Sequence, residues 1–140
     1  MTQDIAARFQ ASFDRQSLMH TFGASVHSIA PGAVTIRAPI GENVLQQQGH
    51  AHAGLTFALG DTAAGYSALT VMPDDQEVLT AEIKINLLAP GAGDHLLARG
   101  RVLKPGRRLV VVASDVYAVA KDGKETHIAA LQGTMVPVRL

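Results

Sequence analysis

The spacing of hydrophobic residues changes along the N-terminal part of the chain, and each change predicts a different element. Within residues 1–20 apolar positions recur about every four residues between charged ones, which is typical of an amphipathic helix; they are Ile5, Phe9, Phe13 and Leu18. Apolar and polar residues alternate over 24–29 and again over 33–38. These two runs flank a Pro-Gly turn and predict a β-hairpin. The polar, glutamine-rich segment 41–54 predicts a loop.

The run from Ala53 to Pro73 is apolar on nearly every side and contains a single charged residue, Asp61. It is too long for one strand, has no proline before its end and is rich in Ala and Gly, so we predict a buried helix over 53–71. The carboxylate at its centre argues against a membrane-spanning helix, because a charge at mid-bilayer is costly.

From residue 77 onward apolar and polar residues alternate. Three glycine-containing turns, at 90–94, 104–108 and 121–125, interrupt this alternation. This predicts four antiparallel strands that form a meander over 77–138. In the first strand one face would carry every second residue, namely Leu79, Ala81, Ile83, Ile85 and Leu87. The whole pattern predicts a single α+β domain over 1–140, in which an antiparallel sheet of about six strands wraps around one long central helix.

Composition narrows the possible functions. The chain has no cysteine, which excludes a disulfide framework, a thiolate metal site and a cysteine nucleophile. Acidic and basic residues are equal in number, so the net charge of zero gives no general attraction to nucleic acid or anionic membranes. Only 17% of the residues are charged, which favours surface hidden in an oligomer. The N-terminus lacks the apolar core of a signal peptide, so we expect a cytoplasmic protein.

Asp61 is the first candidate for chemistry, because a carboxylate is rarely buried among apolar residues without a partner or a function. It could be a structural residue that is bonded to the backbone or to a side chain of the preceding loop. It could instead be a general base or nucleophile in a cleft beside Phe57, Ala64 and Gly65. Spacing alone leaves both possibilities open.

The loop before the central helix contributes further polar candidates. Gln46, His50 and His52 would surround the N-terminus of the helix, where free N–H groups and the helix dipole stabilise negative charge. The two histidines lack a further ligand at metal spacing, so we predict no metal site and a hydrogen-bonding role for His52. A basic turn either faces solvent or receives phosphate groups, and it contains Lys104, Arg107 and Arg108.

Other functional classes are not supported by the sequence. No glycine pattern matches a dinucleotide or P-loop fingerprint, and basic residues do not alternate with aromatic ones as in single-stranded nucleic-acid binding. Ser67 is not part of a Gly-x-Ser-x-Gly motif, so we predict no serine hydrolase triad. We expect no cofactor, no nucleic acid and no membrane partner.

The segment that includes Gln46 and continues as HAGLTFALGDTAAG over 52–65 resembles the His-Gly-Gly-x-x-x-x-Leu-x-Asp motif of the PaaI-like group of hotdog-fold acyl-CoA thioesterases. The strand pattern downstream is also similar, and the resemblance covers roughly residues 20–138. It implies a hotdog fold, hydrolysis of an acyl-CoA thioester, and a homodimer as the smallest active unit, often doubled to a homotetramer.

The resemblance also implies roles for the matching residues. Asp61 would be the carboxylate that activates water or attacks the thioester carbonyl, and Gln46 would position substrate or water. His52 matches the motif histidine, and the backbone N–H of Ala53, together with that of Gly54, would polarise the thioester carbonyl. We further predict substrate contacts from six residues: Phe57, Gly65, Asn86, Lys104, Arg107 and Arg108.

Two positions depart from the family pattern. Ala53 replaces the first glycine of the motif, but a backbone N–H needs no particular side chain, so the oxyanion donor can be retained. Gly65 follows Asp61 by one helical turn, where some relatives carry a Ser or Thr that binds water.

The residues and the resemblance together predict a thioesterase that acts on a small aromatic or a short- to medium-chain acyl-CoA. The alternative is a non-catalytic acyl-CoA-binding or sensor domain on the same fold, with Asp61 in a structural role. The sequence leaves open which acyl group is bound, and whether Asp61 attacks carbon directly or activates water.

Overall fold

The apolar pattern at the N-terminus forms two helices, and not one, in the computed structural model, which describes residues 3–139. Helix α1 covers Gln3–Asp14 and helix α2 covers Ser17–Thr21. Tight turn hydrogen bonds end α1, because the N–H of Gln16 donates to the carbonyl of Phe13 at 2.9 Å. Residues 1, 2 and 140 of the predicted domain lie outside the described residues. A single domain over 1–140 therefore stays a prediction.

The remaining elements follow the predicted order. Strands β1 (Ser25–Ala30) and β2 (Ala33–Pro39) form the hairpin, and its turn contains Gly32 with φ of +72°, a conformation that favours glycine. The loop contains a short 3-10 helix at Glu42–Val44, and the central helix α3 covers Ala53–Leu69. Four longer strands complete the fold: β3 (Gln76–Leu87), β4 (His95–Pro105), β5 (Val110–Val119) and β6 (Glu125–Arg139).

The sheet has the strand order β1-β2-β4-β5-β6-β3 and is antiparallel throughout. The predicted hotdog architecture of six strands around a central helix is therefore confirmed. The predicted four-strand meander is wrong, because β3 pairs with β6 at the edge of the sheet and only β4, β5 and β6 form a meander.

The reason is the connection between β3 and β4, which is not a hairpin turn. It crosses the end of the sheet, where the N–H of Leu88 donates to the carbonyl of Ile128 at 2.8 Å. Farther along, the N–H of Asp94 donates to the carbonyl of Val119 at 2.8 Å, and the carbonyl of Asp94 accepts from Ile40 at 3.0 Å. Long-range backbone pairing of this kind leaves no local signal in the sequence.

A β-bulge between Thr80 and Glu82 changes which side chains of β3 face the helix. Before the bulge Thr80 is directed toward α3, and after it Ile83 packs against the core. The prediction that Leu79 shares a face with Ile83 is therefore wrong, and the Leu79 side chain is 57% exposed. The bulge matters for the site because it turns the Thr80 hydroxyl toward α3.

Small residues allow α3 and the sheet to approach closely. A side chain at Gly100 would collide with the carbonyl of Ala63 in α3. Leu55 and Leu59 of α3 are buried against apolar side chains of the sheet, including Ile36, Leu96, Val112, Val116, Leu131 and Met135. No helix within the described range 3–139 is both long and apolar enough to cross a membrane.

The face of the sheet that is turned away from α3 carries ordered ion pairs. Arg99 makes two hydrogen bonds to Glu125, at 2.6 and 2.8 Å, and its guanidinium lies 4.7 Å from the centre of the Tyr117 ring. The hydrogen bonds from Arg99 hold the pKa of Glu125 below its ordinary value. Arg101 and His127 contact the same carboxylate of Asp115. This face is therefore polar and connects β4, β5 and β6.

Candidate functional site

Several candidate residues line two separate cavities along α3, whereas His52 and Gly54 line a third one beside Leu55. The first cavity has a volume of 350 Å³ and contains Asp61 and Gly65, with Ser12, Gln16, Thr80 and Met135 among its other lining residues. The second has a volume of 380 Å³ and lies at the start of α3, where it is lined by Gln46, His50 and Ala53. Since Asp61 follows Ala53 by eight residues, about 12 Å of helix separates them.

Asp61 is half-buried, and its carboxylate is held by β3. The hydroxyl of Thr80 donates to Oδ1 of Asp61 at 2.6 Å, and the same hydroxyl lies 3.3 Å from the sulfur of Met135. Thr80 is not among the residues predicted from the sequence, because simple alternation places it on the face of β3 away from the helix. The bulge in β3 reverses that orientation, and nothing in the local pattern indicated the bulge.

Helix α1 forms one side of the first cavity through contacts with Tyr66. The Tyr66 ring lies between Phe9 and Phe13, with centre-to-centre distances of 4.2 and 6.1 Å. Its hydroxyl accepts a hydrogen bond from Nε2 of Gln16 at 2.8 Å and is 3.0 Å from Oγ of Ser12. Burial raises the pKa of the Tyr66 phenol above its ordinary value of 10.0, so the side chain is neutral at physiological pH.

Among the described residues, one backbone N–H at the N-terminus of α3 has no hydrogen-bond partner, that of Ala53. His52 caps the helix, because its Nδ1 accepts a hydrogen bond from the N–H of Gly54 at 2.8 Å. This bond occupies the N–H of Gly54, which was predicted as a second oxyanion donor. The N–H of Ala53 makes no hydrogen bond to any residue in the described range 3–139.

Gln46 organises the loop that precedes α3. Its Oε1 accepts hydrogen bonds from the backbone N–H groups of Gln48 at 2.5 Å and His50 at 3.2 Å. The N–H of Ala51 donates to the carbonyl of Gly91 at 2.9 Å and ties this loop to the connection between β3 and β4. Within the described residues, neither histidine of the loop belongs to a group of three side chains that could hold a metal ion.

The other predicted substrate contacts are distributed over the molecule. Phe57 is exposed on α3 between the two cavities, since Ala53, Phe57 and Asp61 are four residues apart and share one helix face. Asn86 lies with Lys84 on the far side of the sheet and lines neither cavity, so its placement does not support a substrate contact. The basic turn is on the surface beyond the C-terminal end of α3, and it contains Lys104, Arg107 and Arg108.

One chain therefore holds two halves of a possible reaction site. The Asp61 carboxylate with its hydroxyl partner lies in one cavity, and the Ala53 N–H at the helix N-terminus lies in the other. A carboxylate can accept a proton or attack a carbonyl, and a free N–H at a helix N-terminus can stabilise an oxyanion. About 12 Å is too far for both groups to contact a single carbonyl.

Comparison with known proteins identifies the family that this chain resembles. The family model described as the thioesterase superfamily matches residues 48–123. A thioesterase family protein of Silicibacter pomeroyi is 37% identical, covers 97% of this chain and 99% of its own, and superposes with a TM-score of 0.93. The BH2602 protein of Bacillus halodurans, solved with CoA, is 26% identical over 96% of this chain and 84% of its own, with a TM-score of 0.78.

A third structure shares the fold alone. The PaaI protein from the phenylacetic acid degradation operon of E. coli is 21% identical and has a TM-score of 0.82. The alignment covers 96% of this chain and 93% of that one.

The environment of Tyr66 leads to a prediction about stability. Replacement Tyr66→Phe removes the hydrogen bonds to Ser12 and Gln16, so the free energy of unfolding at pH 7 should fall by about 1–2 kcal/mol. Because the folded-state pKa of Tyr66 is raised, its stabilising contribution is present below pH 10 and is lost as pH rises through the folded-state pKa. Urea titrations from pH 8 to 12 should therefore show the wild-type and variant curves converging at alkaline pH; parallel curves would contradict this assignment.

Proposed function

Since this chain belongs to the thioesterase superfamily and is a thioester hydrolase of the hotdog fold, we propose that it acts on acyl-CoA substrates and that Asp61 is its catalytic carboxylate. The observation that carries this proposal is the hydrogen bond from Thr80 to Asp61 inside a cavity large enough for a small acyl group. The similarity to BH2602, which was solved with CoA, supports CoA as the thiol carrier.

The proposed reaction transfers the acyl group to water. Oδ2 of Asp61 accepts no hydrogen bond from the described residues, so it is the oxygen that takes a proton from water or attacks the carbonyl carbon itself. A new carbon–oxygen bond forms, the carbon–sulfur bond breaks, and the electron pair leaves with the CoA sulfur, which then receives a proton. By either route one water is consumed, and the products are a carboxylic acid and free CoA.

The free N–H of Ala53 is the proposed oxyanion donor. It lies at the positive end of α3, where a developing negative charge on the carbonyl oxygen is favoured. Because about 12 Å separates it from Asp61 of the same chain, we propose that each site combines Asp61 of one chain with the Ala53 N–H of the partner subunit.

The edge of the sheet supports this pairing of two chains. Strand β3 is an edge strand of twelve residues, and Leu79, Leu87 and Leu88 at or beside it are more than half exposed. An exposed apolar edge strand favours association with a second copy of the chain. We propose a homodimer along β3 as the active unit; its doubling to a tetramer and its location in the cytoplasm stay predictions.

Thr80 is the proposed positioning residue for Asp61. Some relatives have a hydroxyl residue one turn after Asp61, and this chain has Gly65 there. The Thr80 hydroxyl, which reaches Asp61 from β3, would restrain the carboxylate in place of that side chain. Phe57 remains a proposed acyl contact, and the basic turn remains a proposed contact for CoA phosphates.

We expect Asp61→Asn to reduce acyl-CoA hydrolysis by on the order of 10³-fold, because the amide can neither accept the proton nor attack the carbonyl. Release of free thiol from a panel of acyl-CoAs measures this directly, with Asp75→Asn at an exposed aspartate as the matched control. Hydrolysis at the wild-type rate by a folded Asp61→Asn protein would contradict the assignment. Acyl-CoA binding without thiol release by the wild type would instead support the non-catalytic alternative.

Replacement Ala53→Pro tests the oxyanion donor, because proline removes the N–H and leaves the helix intact. Proline is favoured at the first helical position, and ψ of 141° at His52 suits a residue before proline. We expect kcat to fall by about 10²–10³-fold, while Ala53→Ser, which keeps the N–H, remains active. Unchanged kcat in Ala53→Pro would show that another group stabilises the oxyanion.

Mixed dimers of these two variants test whether the site is shared between chains. A dimer of one Asp61→Asn chain and one Ala53→Pro chain contains one complete site if each site combines two chains. Doubly tagged, purified heterodimers should then recover about half of the wild-type activity per dimer. If each site is confined to one chain, the heterodimer will be as inactive as the two variants.

The role of Thr80 is tested by Thr80→Val, which replaces the hydroxyl by a methyl group of similar shape. We expect kcat to fall by about tenfold or more with KM nearly unchanged, since the residue acts through Asp61. Thr80→Ser should restore kcat. A rise in KM together with the fall in kcat, or a failure of serine to restore activity, would indicate that Thr80 has only a packing role.

A further inference from the structure

Gly65 differs from the other buried glycines around α3. An added Cβ at Gly60 would come within 2.8 Å of the Leu131 side chain, which would have to shift. At Gly65 an added Cβ would meet only the Met135 side chain, at an ordinary contact distance of 3.8 Å. Gly65 also has no positive φ, so neither packing nor backbone conformation requires glycine at this position.

Glycine in a helix interior is nevertheless unfavourable. Its unfolded state has more conformational freedom to lose than that of alanine, and α3 extends four residues beyond Gly65. The place where a side chain would stand is the first cavity, because Gly65 and Met135 both line it beside Asp61. Any side chain at 65 would therefore take volume from the space next to the carboxylate.

The opposite side of the cavity is held in place by hydrogen bonds and an aromatic contact. Ser12 and Gln16 are held by the Tyr66 hydroxyl, and α1 is fixed to Tyr66 by Phe9. Volume added at Gly65 is consequently lost to whatever the cavity binds.

We propose that Gly65 sets the size of the acyl group, because it leaves room beside Asp61 for acyl groups that a side chain at this position would exclude. This inference rests on the proposed function, since it assumes that the acyl group lies next to Asp61 during hydrolysis. Glycine at this position makes the helix less stable than alanine would, and it leaves space for the substrate.

The experiment uses Gly65→Ala and a series of acyl-CoAs from acetyl- and propionyl-CoA to hexanoyl- and phenylacetyl-CoA. The ratio of kcat/KM for the two large substrates to that for the two small ones should fall at least tenfold, because one methyl group in a tight pocket has an effect of about this size. The Tm of the variant should rise by a few degrees. The control is Ala11→Leu, which enlarges an exposed residue of α1 away from the cavity and should change neither quantity.

Two results would overturn the inference. One is an unchanged ratio, whether or not the activity falls for all substrates, and the other is a change in oligomeric state on gel filtration, which would assign Gly65 to a subunit contact. Failure of the proposed function looks different: in that case the wild-type protein releases no thiol from any acyl-CoA, or Asp61→Asn is as active as wild type.

Discussion

The close contact between α3 and the sheet is the constraint on which the rest of the structure depends. The carbonyl of Ala63 occupies the place where a side chain at Gly100 would stand, so backbone packs directly on backbone. A helix held this closely cannot shift along the sheet, because its neighbours are close-packed and have no free volume. The position of Asp61 relative to Thr80 follows from that fixed arrangement, and so does the volume of the cavity between them.

The same rigid helix separates the two groups to which a chemical role is proposed. Its first N–H and its carboxylate share one face, but the helical rise sets their distance at about 12 Å, which no side-chain rotation can close. In the proposed homodimer a second copy of the chain would supply the missing group, and the exposed edge strand β3 is the proposed surface for it. Assembly and catalysis are therefore linked in the proposed mechanism.

The N-terminal helix α1 contributes both to the stability of the fold and to the shape of the cavity beside Asp61. Phe9 and Phe13 bury their rings against Tyr66, and the polar residues Ser12 and Gln16 of the same helix line the cavity beside Asp61. One apolar stripe thus anchors the helix, while the next residues along it face the space where the acyl group is proposed to bind. Gly65 lies on the other side of the cavity and leaves that space open, although glycine lowers the stability of the helix.

The sequence by itself determined the features that depend on near neighbours: the central helix with its single carboxylate, the first hairpin, the histidine at the helix N-terminus and the likeness to the thioesterase motif. Periodicity and turn chemistry encode these locally. Only the tertiary structure decided that β3 pairs with β6, that a bulge turns Thr80 toward Asp61, that His52 occupies the N–H of Gly54, and that Asp61 and Ala53 lie in different cavities. These depend on pairing and packing between residues distant in the chain, for which alternating hydrophobicity leaves several solutions.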